Sequence, residues 1–100
     1  MRTVEKVLEE ITNLNGQDDN AAFEKFLEAA GIGRDSGNNN VYIMGLMSAA
    51  AMACKMGNYE LCMKISSDAR DVDEGIWAKY LEEPHMKEML RTLSMVGAFD

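Results

Sequence analysis

The chain has 100 residues, of which 47% are hydrophobic and 27% are charged, and it contains a single proline. This length is typical of one domain that buries enough surface to fold without disulfides or a structural metal. The net charge of -7 argues against direct binding to nucleic acid or to an anionic membrane, because phosphate attracts a basic surface, and it leaves room for a basic protein partner.

The first two predicted helices cover residues 3–14 and 20–30. In both, the apolar residues recur at intervals of three and four, which is the pattern of one buried helical face. Gly16 and Gly31 follow these helices, and glycine favours the left-handed conformation in which many helices end. We expect the two helices to form an antiparallel hairpin.

Residues 33–40 form the longest polar stretch of the chain, with glycine, serine and asparagine as the main residue types. This composition predicts a flexible loop that a protease would cut early. Arg34 and Asp35 lie on the predicted loop, beside the start of the third helix. We therefore predict that these two side chains make contacts at the rim of a partner-binding surface.

The third predicted helix, residues 41–56, is the most apolar part of the chain, and no Asp, Glu, Lys, Arg or His occurs between Asp35 and Lys55. As a helix it spans about 24 Å, which is less than the roughly 30 Å of a membrane's hydrocarbon core. A helix that is apolar all round is usually buried. We therefore expect it at the centre of an all-α bundle of five or six helices, within a single domain covering residues 1–100.

Three more helices are predicted in the carboxyl-terminal half. They cover residues 59–69, residues 73–81, and a segment that begins at Pro84 and ends at Gly97. Asn58 is a good amino-terminal cap for the first of them, because its side chain can accept a hydrogen bond from a free backbone N–H group. Proline is tolerated in the first turn of a helix, where its missing N–H group is not needed.

Residues 43–74 carry part of the pattern of a known helical repeat. Gly57 and Tyr59 fall at its tight turn, and four small or apolar positions also match: Leu46, Ala49, Ala50 and Ala69. The segment resembles a single tetratricopeptide-type helical hairpin. Four positions depart from that family's pattern: Ala53, Cys62, Ser66 and Glu74. The resemblance implies a protein-binding scaffold and not an enzyme.

The sequence offers little chemistry for catalysis. His85 is the only histidine, so neither a His-rich metal site nor a Ser-His-Asp triad can be built. Cys54 and Cys62 are too few for a secreted disulfide framework, and the first residues lack the apolar run of a signal peptide. We expect a cytoplasmic, non-enzymatic protein with free thiols and with no catalytic residue, metal ligand or cofactor.

Nine methionines are an unusual number for this length, and methionine is common both in cores and on adaptable binding surfaces. Met44, Met52 and Met95 are the hardest to bury with their neighbours and are predicted to line an exposed groove. Trp77 and Tyr80 are the predicted anchors of a partner, because aromatic side chains tend to dominate interface energies. The first hypothesis is therefore an interaction module that binds a protein through an apolar Met and aromatic surface, with homo-oligomer formation left open.

An acidic cluster follows the fourth helix, and its members are Asp68, Asp71, Asp73 and Glu74. If Gly75 is taken as the sixth residue of a calcium-binding EF-hand loop, the first residue is Arg70 and the twelfth is Leu81 instead of glutamate, so the match fails. A solvated turn that caps the next helix explains these residues, and so does a functional acidic surface. The second hypothesis is a small acidic inhibitor, of the kind that phages encode, which occupies the nucleic-acid site of a basic protein.

Overall fold

The computed structural model describes residues 2–97, and within this range all regular structure is α-helical. The six helices are α1 (Val4–Asn13), α2 (Asp19–Asp35), α3 (Asn39–Lys55), α4 (Tyr59–Val72), α5 (Glu74–Leu81) and α6 (Pro84–Met95). No strand occurs among the described residues. The predicted fold class, an all-α bundle of five or six helices, is confirmed.

Helix α3 lies at the centre of the bundle, as its apolar sequence predicts. It packs against α2, α4, α5 and α6, whereas α1 packs mainly against α2. Eight residues of α3 are buried, against four in α2 and fewer in each other helix. Ile43 and Met47 are fully buried in the main core, which also takes side chains from α2, α4 and α6.

The contact between α2 and α3 is made by residues with small side chains. A methyl group added to Gly45 would lie 2.5 Å from the backbone nitrogen of Ala30, and one added to Gly33 would lie 2.5 Å from that of Tyr42. Real Cβ atoms do not approach other atoms this closely. The glycines therefore let the two helix backbones lie nearly in contact, and they fix the distance between α2 and α3.

The predicted end of the second helix and the loop after it are wrong. Helix α2 continues through Gly31 to Asp35, α3 begins at Asn39, and only residues 36–38 link them. The helix continues because Gly33 is buried against α3, which adds one more packed turn. The polar residues around Gly33 in the sequence do not predict this turn. Arg34 and Asp35 are therefore exposed residues of the last turn of α2, and not residues of a loop.

The links before and after α3 use the same local geometry. Gly37 and Gly57 both have positive φ angles, of 73° and 83°. The N–H group of the next residue, Asn38 or Asn58, donates to the carbonyl five residues earlier, at 2.8 Å and 2.9 Å. Each asparagine side chain then accepts the N–H group three residues later and so caps the following helix.

Candidate functional site

A groove lies between α4 and α6, and Trp77 of α5 also lines it. Among the described helices, α4 and α6 form no extended backbone contact, although both flank the same core. The groove has a volume of about 280 Å³. We call it the α4–α6 groove, and its lining residues are Met63, Ser66, Ser67, Arg70, Trp77, Met89, Leu90 and Leu93.

The residues of α4 that line the groove follow one face of that helix. They lie at intervals of three and four, from Met63 to Arg70, so the lined length is about 10 Å. Met89 and Leu93 of α6 are buried and form the floor, and Leu90 is half-buried at the side. Because two of the lining positions of α4 are serines, too little side-chain volume is available to fill the gap.

Trp77 of α5 is held in the lining of the groove by two contacts with α4. Its indole Nε1 donates a hydrogen bond to the hydroxyl oxygen of Ser66 at 3.1 Å. The guanidinium carbon of Arg70 lies 5.8 Å from the centre of its ring, within the range of a cation–π interaction. The ring packs against the main core and is half-buried, so the predicted anchor has a fixed orientation and an accessible part.

Tyr80, the second predicted anchor, lines a different cavity. It lies at the junction of α5 with the start of α3, beside Asn40, Ile76, Lys79 and Glu83. Partial burial, together with the charge of Glu83, raises the pKa of the Tyr80 phenol above its usual value. Trp77 and Tyr80 thus line two separate depressions.

The three methionines predicted to line a groove do not line the α4–α6 groove. Met44 and Met52 are half-buried on α3, and Ser48, between them in sequence, contacts the sulfur of Met44 at 3.9 Å. Met95 is 80% exposed at the end of α6. The apolar surface proposed from the sequence is therefore divided over several parts of the molecule.

The four residues of the acidic cluster have different local environments: Asp68 and Asp71 lie within α4, Asp73 links α4 to α5, and Glu74 begins α5. Asp68 forms an ion pair with Lys64 at 3.3 Å, and Asp73 caps α5 by accepting the N–H group of Ile76 at 3.1 Å. Asp71 and Glu74 are exposed. Arg34 and Asp35 form an ion pair with each other at 3.2 Å. Asp73 therefore has a structural role as the amino-terminal cap of α5.

The largest cavity, of about 450 Å³, lies between the end of α3, the start of α4 and α6. Cys54, Lys55, His85 and Glu88 are among its lining residues. Burial raises the pKa of the Cys54 thiol, and burial together with the neighbouring Cys54 thiol raises the pKa of Cys62 to about 12. Both thiols are therefore protonated at neutral pH, which disfavours nucleophilic chemistry at this cavity.

Within residues 2–97, no helix combines the length and the apolarity that crossing a membrane requires. Over the same range, no three His, Cys, Asp or Glu side chains come together in an arrangement suited to a metal ion.

Sequence reasoning missed most of the lining of the groove. It chose Trp77 but did not connect it with Met63, Ser67 or Arg70, whose spacing places them on one face of α4. That spacing could have indicated a shared face, but the serines interrupt the apolar pattern on this side of α4. No family model, curated protein or solved structure matches this chain, so the α4–α6 groove is the basis of the functional argument.

Proposed function

We propose that this protein is a non-enzymatic interaction module, and that the α4–α6 groove receives an apolar segment of a protein partner. The observation that carries the proposal is the half-buried Trp77, held in a fixed orientation beside a groove with an apolar floor. Tryptophan is enriched among the residues that dominate binding energies. An anchor that is already oriented loses less conformational entropy when a partner binds.

The size and lining of the groove favour a macromolecular partner. Its volume of about 280 Å³ lies at the lower end of the roughly 300–1,000 Å³ of pockets that enclose small molecules. Such a groove suits the insertion of a few side chains from a larger partner. Met63 and Met89 are flexible and polarizable, so they can adapt to side chains of different shape.

The largest cavity is a weaker candidate, although it has the greater volume. Its rim carries Lys55, His85 and Glu88, and Lys55 already forms an ion pair with Asp19 at 3.2 Å. Charges of both signs keep such a surface hydrated. In the α4–α6 groove, the half-buried Met63, Trp77 and Leu90 keep apolar surface that a partner can remove from water, which is the main source of association energy.

The proposal is tested by selecting displayed random peptides of about 16 residues on the immobilised wild-type protein. Ser67→Trp fills the groove from an exposed position of α4, so the selected peptides should bind this variant at least about tenfold more weakly. Thr12→Trp is the matched control, because Thr12 is exposed on α1, which packs mainly against α2. Peptides that bind both variants and the wild type equally well would show that the groove is not the binding site.

Methyl NMR of the methionines locates the bound peptide. We expect the shifts to change at Met63 and Met89 of the groove. Changes confined to Met44, Met52 or Met95 would instead favour the surfaces first predicted from the sequence.

A second candidate function, the acidic inhibitor of a basic protein, is favoured by the exposure of Asp71 and Glu74 in a chain of net charge -7. Neither carboxylate forms an ion pair within the described residues. The same peptide selection distinguishes the acidic inhibitor from the interaction module. An inhibitor of this kind would select peptides rich in Lys and Arg, and their binding would weaken steeply as the salt concentration rises, because exposed charges are screened.

A further inference from the structure

The α4–α6 groove differs from the other cavities in its charge. Arg70 is the single ionisable side chain among the residues that line it. The largest cavity, in contrast, places Glu88 beside Lys55 and His85, and the cavity at Tyr80 places Glu83 beside Lys79. An uncompensated cation at the groove is unexpected in a chain with 17 acidic residues and 10 basic ones.

Arg70 forms no ion pair within the described residues, although acidic residues are close to it in sequence. Its guanidinium lies over the ring of Trp77, beside the apolar lining of the groove. A purely apolar segment in this groove would remove part of the water from the guanidinium and offer no acceptor in return. Burying a charge without a partner is unfavourable, so the best occupant brings its own carboxylate.

The shape of the groove indicates how that occupant is folded. The gap lies between two helices, and the lined face of α4 extends from Met63 to Arg70, about two helical turns. A helix that lies in a groove presents side chains at intervals of three, four and seven. One such face can place apolar residues against Met63, Met89 and Leu93 and an acidic residue against Arg70.

We infer that the partner segment is an amphipathic helix whose apolar face carries an acidic side chain, and that this carboxylate pairs with Arg70. This inference rests on the proposed function, because it names the chemistry of the segment that occupies the same groove. The guanidinium is suited to the role, since it can donate two parallel hydrogen bonds to one carboxylate.

The experiment repeats the peptide selection on three proteins: the wild type, Arg70→Glu and Lys64→Glu. Lys64→Glu is the matched control, because it makes the same change of charge on an exposed position of α4 that does not line the groove. We expect Asp or Glu beside the apolar residues of the peptides that the wild type and Lys64→Glu select. Peptides selected by Arg70→Glu should carry Lys or Arg at that place instead.

The contribution of the contact between Arg70 and the carboxylate is then measured with one of the selected peptides. Replacing its conserved Glu by Gln should weaken binding to the wild type about tenfold, as expected for a hydrogen bond between charged groups. The same replacement should have little effect on binding to Arg70→Gln, which keeps a long polar side chain and removes the charge. Melting temperatures of the variants show whether each one is folded.

The outcomes separate this inference from the proposed function. If the selected peptides bind in the groove, as Ser67→Trp reports, but show no preference for acidic residues, the inference is overturned and the groove remains the binding site. If Arg70→Glu and the wild type select the same peptides, the inference is overturned in the same way. If no selected peptide depends on the groove, the proposed function fails, and this inference fails with it.

Discussion

Helices α2 and α3 pack closely against each other, whereas α4 and α6 leave a gap between them. The first pair meets through Ala30, Gly33 and Gly45, and its backbones lie so close that an added methyl group would clash. The second pair carries Met63, Leu90 and other large side chains but also two serines, and it leaves a gap of about 280 Å³. Small residues close one interface, and a mixture of large and small residues leaves the other open.

The two contacts differ in how much change of side-chain volume they can tolerate. Close-packed interiors tolerate little change in volume. The contact between α2 and α3 should therefore behave as a fixed scaffold for the central helix. The α4–α6 groove should tolerate added volume on its α4 side, because Ser67 and Arg70 are exposed there.

The largest effect is expected at Gly45. Replacing a glycine within a helix by alanine usually stabilises the protein, but here we expect the substitution to destabilise it. In Gly45→Ala the new Cβ atom would lie 2.5 Å from the backbone nitrogen of Ala30 and 2.7 Å from its Cα atom. Backbone atoms cannot move aside as the end of a flexible side chain can. We expect a loss of about 3 kcal/mol in the free energy of unfolding, measured by urea denaturation.

The control for this prediction is Gly31→Ala in α2. A Cβ atom there would meet only the end of the Arg34 side chain, at 3.9 Å, which is an ordinary contact. This variant should gain about 0.5–1 kcal/mol, because alanine has the higher helix propensity. Equal effects at the two positions would show that the α2–α3 contact is looser than described.

The next effect concerns Ala50, a residue of α3 with a small side chain. Ala50 is fully buried in the main core, so Ala50→Leu must force its neighbours apart. The expected loss of stability is about 2 kcal/mol, within the usual range for an overpacked core. A melting temperature equal to that of the wild type would mean that this face of α3 has free space, and the contrast between closed and open contacts would weaken.

A smaller effect is expected at the start of α5, the helix that carries Trp77. The Asp73 side chain accepts the N–H group of Ile76 at 3.1 Å, and removing such a cap costs about 1 kcal/mol. Asp73→Ala should therefore loosen the first turn of α5 and shift the fluorescence of Trp77. Asp71→Ala is the control, since Asp71 is exposed near the carboxyl end of α4, where a negative charge gives no stabilisation. Similar losses of stability in both variants would contradict the conclusion that Asp73 caps α5 and Asp71 does not.

The sequence predicted the fold better than the site, for identifiable reasons. The central helix followed from the absence of charge before Lys55, and Pro84 and Gly57 lie where their backbone preferences place helix ends. The extension of α2 through Gly31 could not be predicted, because it depends on Gly33 packing against α3, a contact between distant parts of the bundle.

The groove was missed for a related physical reason. A pattern of apolar residues shows which face of a helix is buried, but it does not show which neighbouring helices fail to meet. Trp77 was identified because of its residue type, whereas Arg70 and Ser67 gain their meaning only from the position of α6. Gaps between helices are therefore a property of the assembled bundle.

The smallest predicted effect gives the most direct comparison of the two kinds of contact. Ser67→Leu adds a large apolar side chain to a helix of the bundle, as Ala50→Leu does, but Ser67 is exposed and lines the open groove. The new side chain can lie along the groove without displacing the core, and leucine has the better helix propensity. The free energy of unfolding should change by no more than about 0.5 kcal/mol, as is usual for a surface position. Urea denaturation of both variants in the same buffer gives the comparison. A loss at Ser67 as large as that at Ala50 would show that α4 and α6 are closed against each other in solution, and the groove would then be no place for a partner.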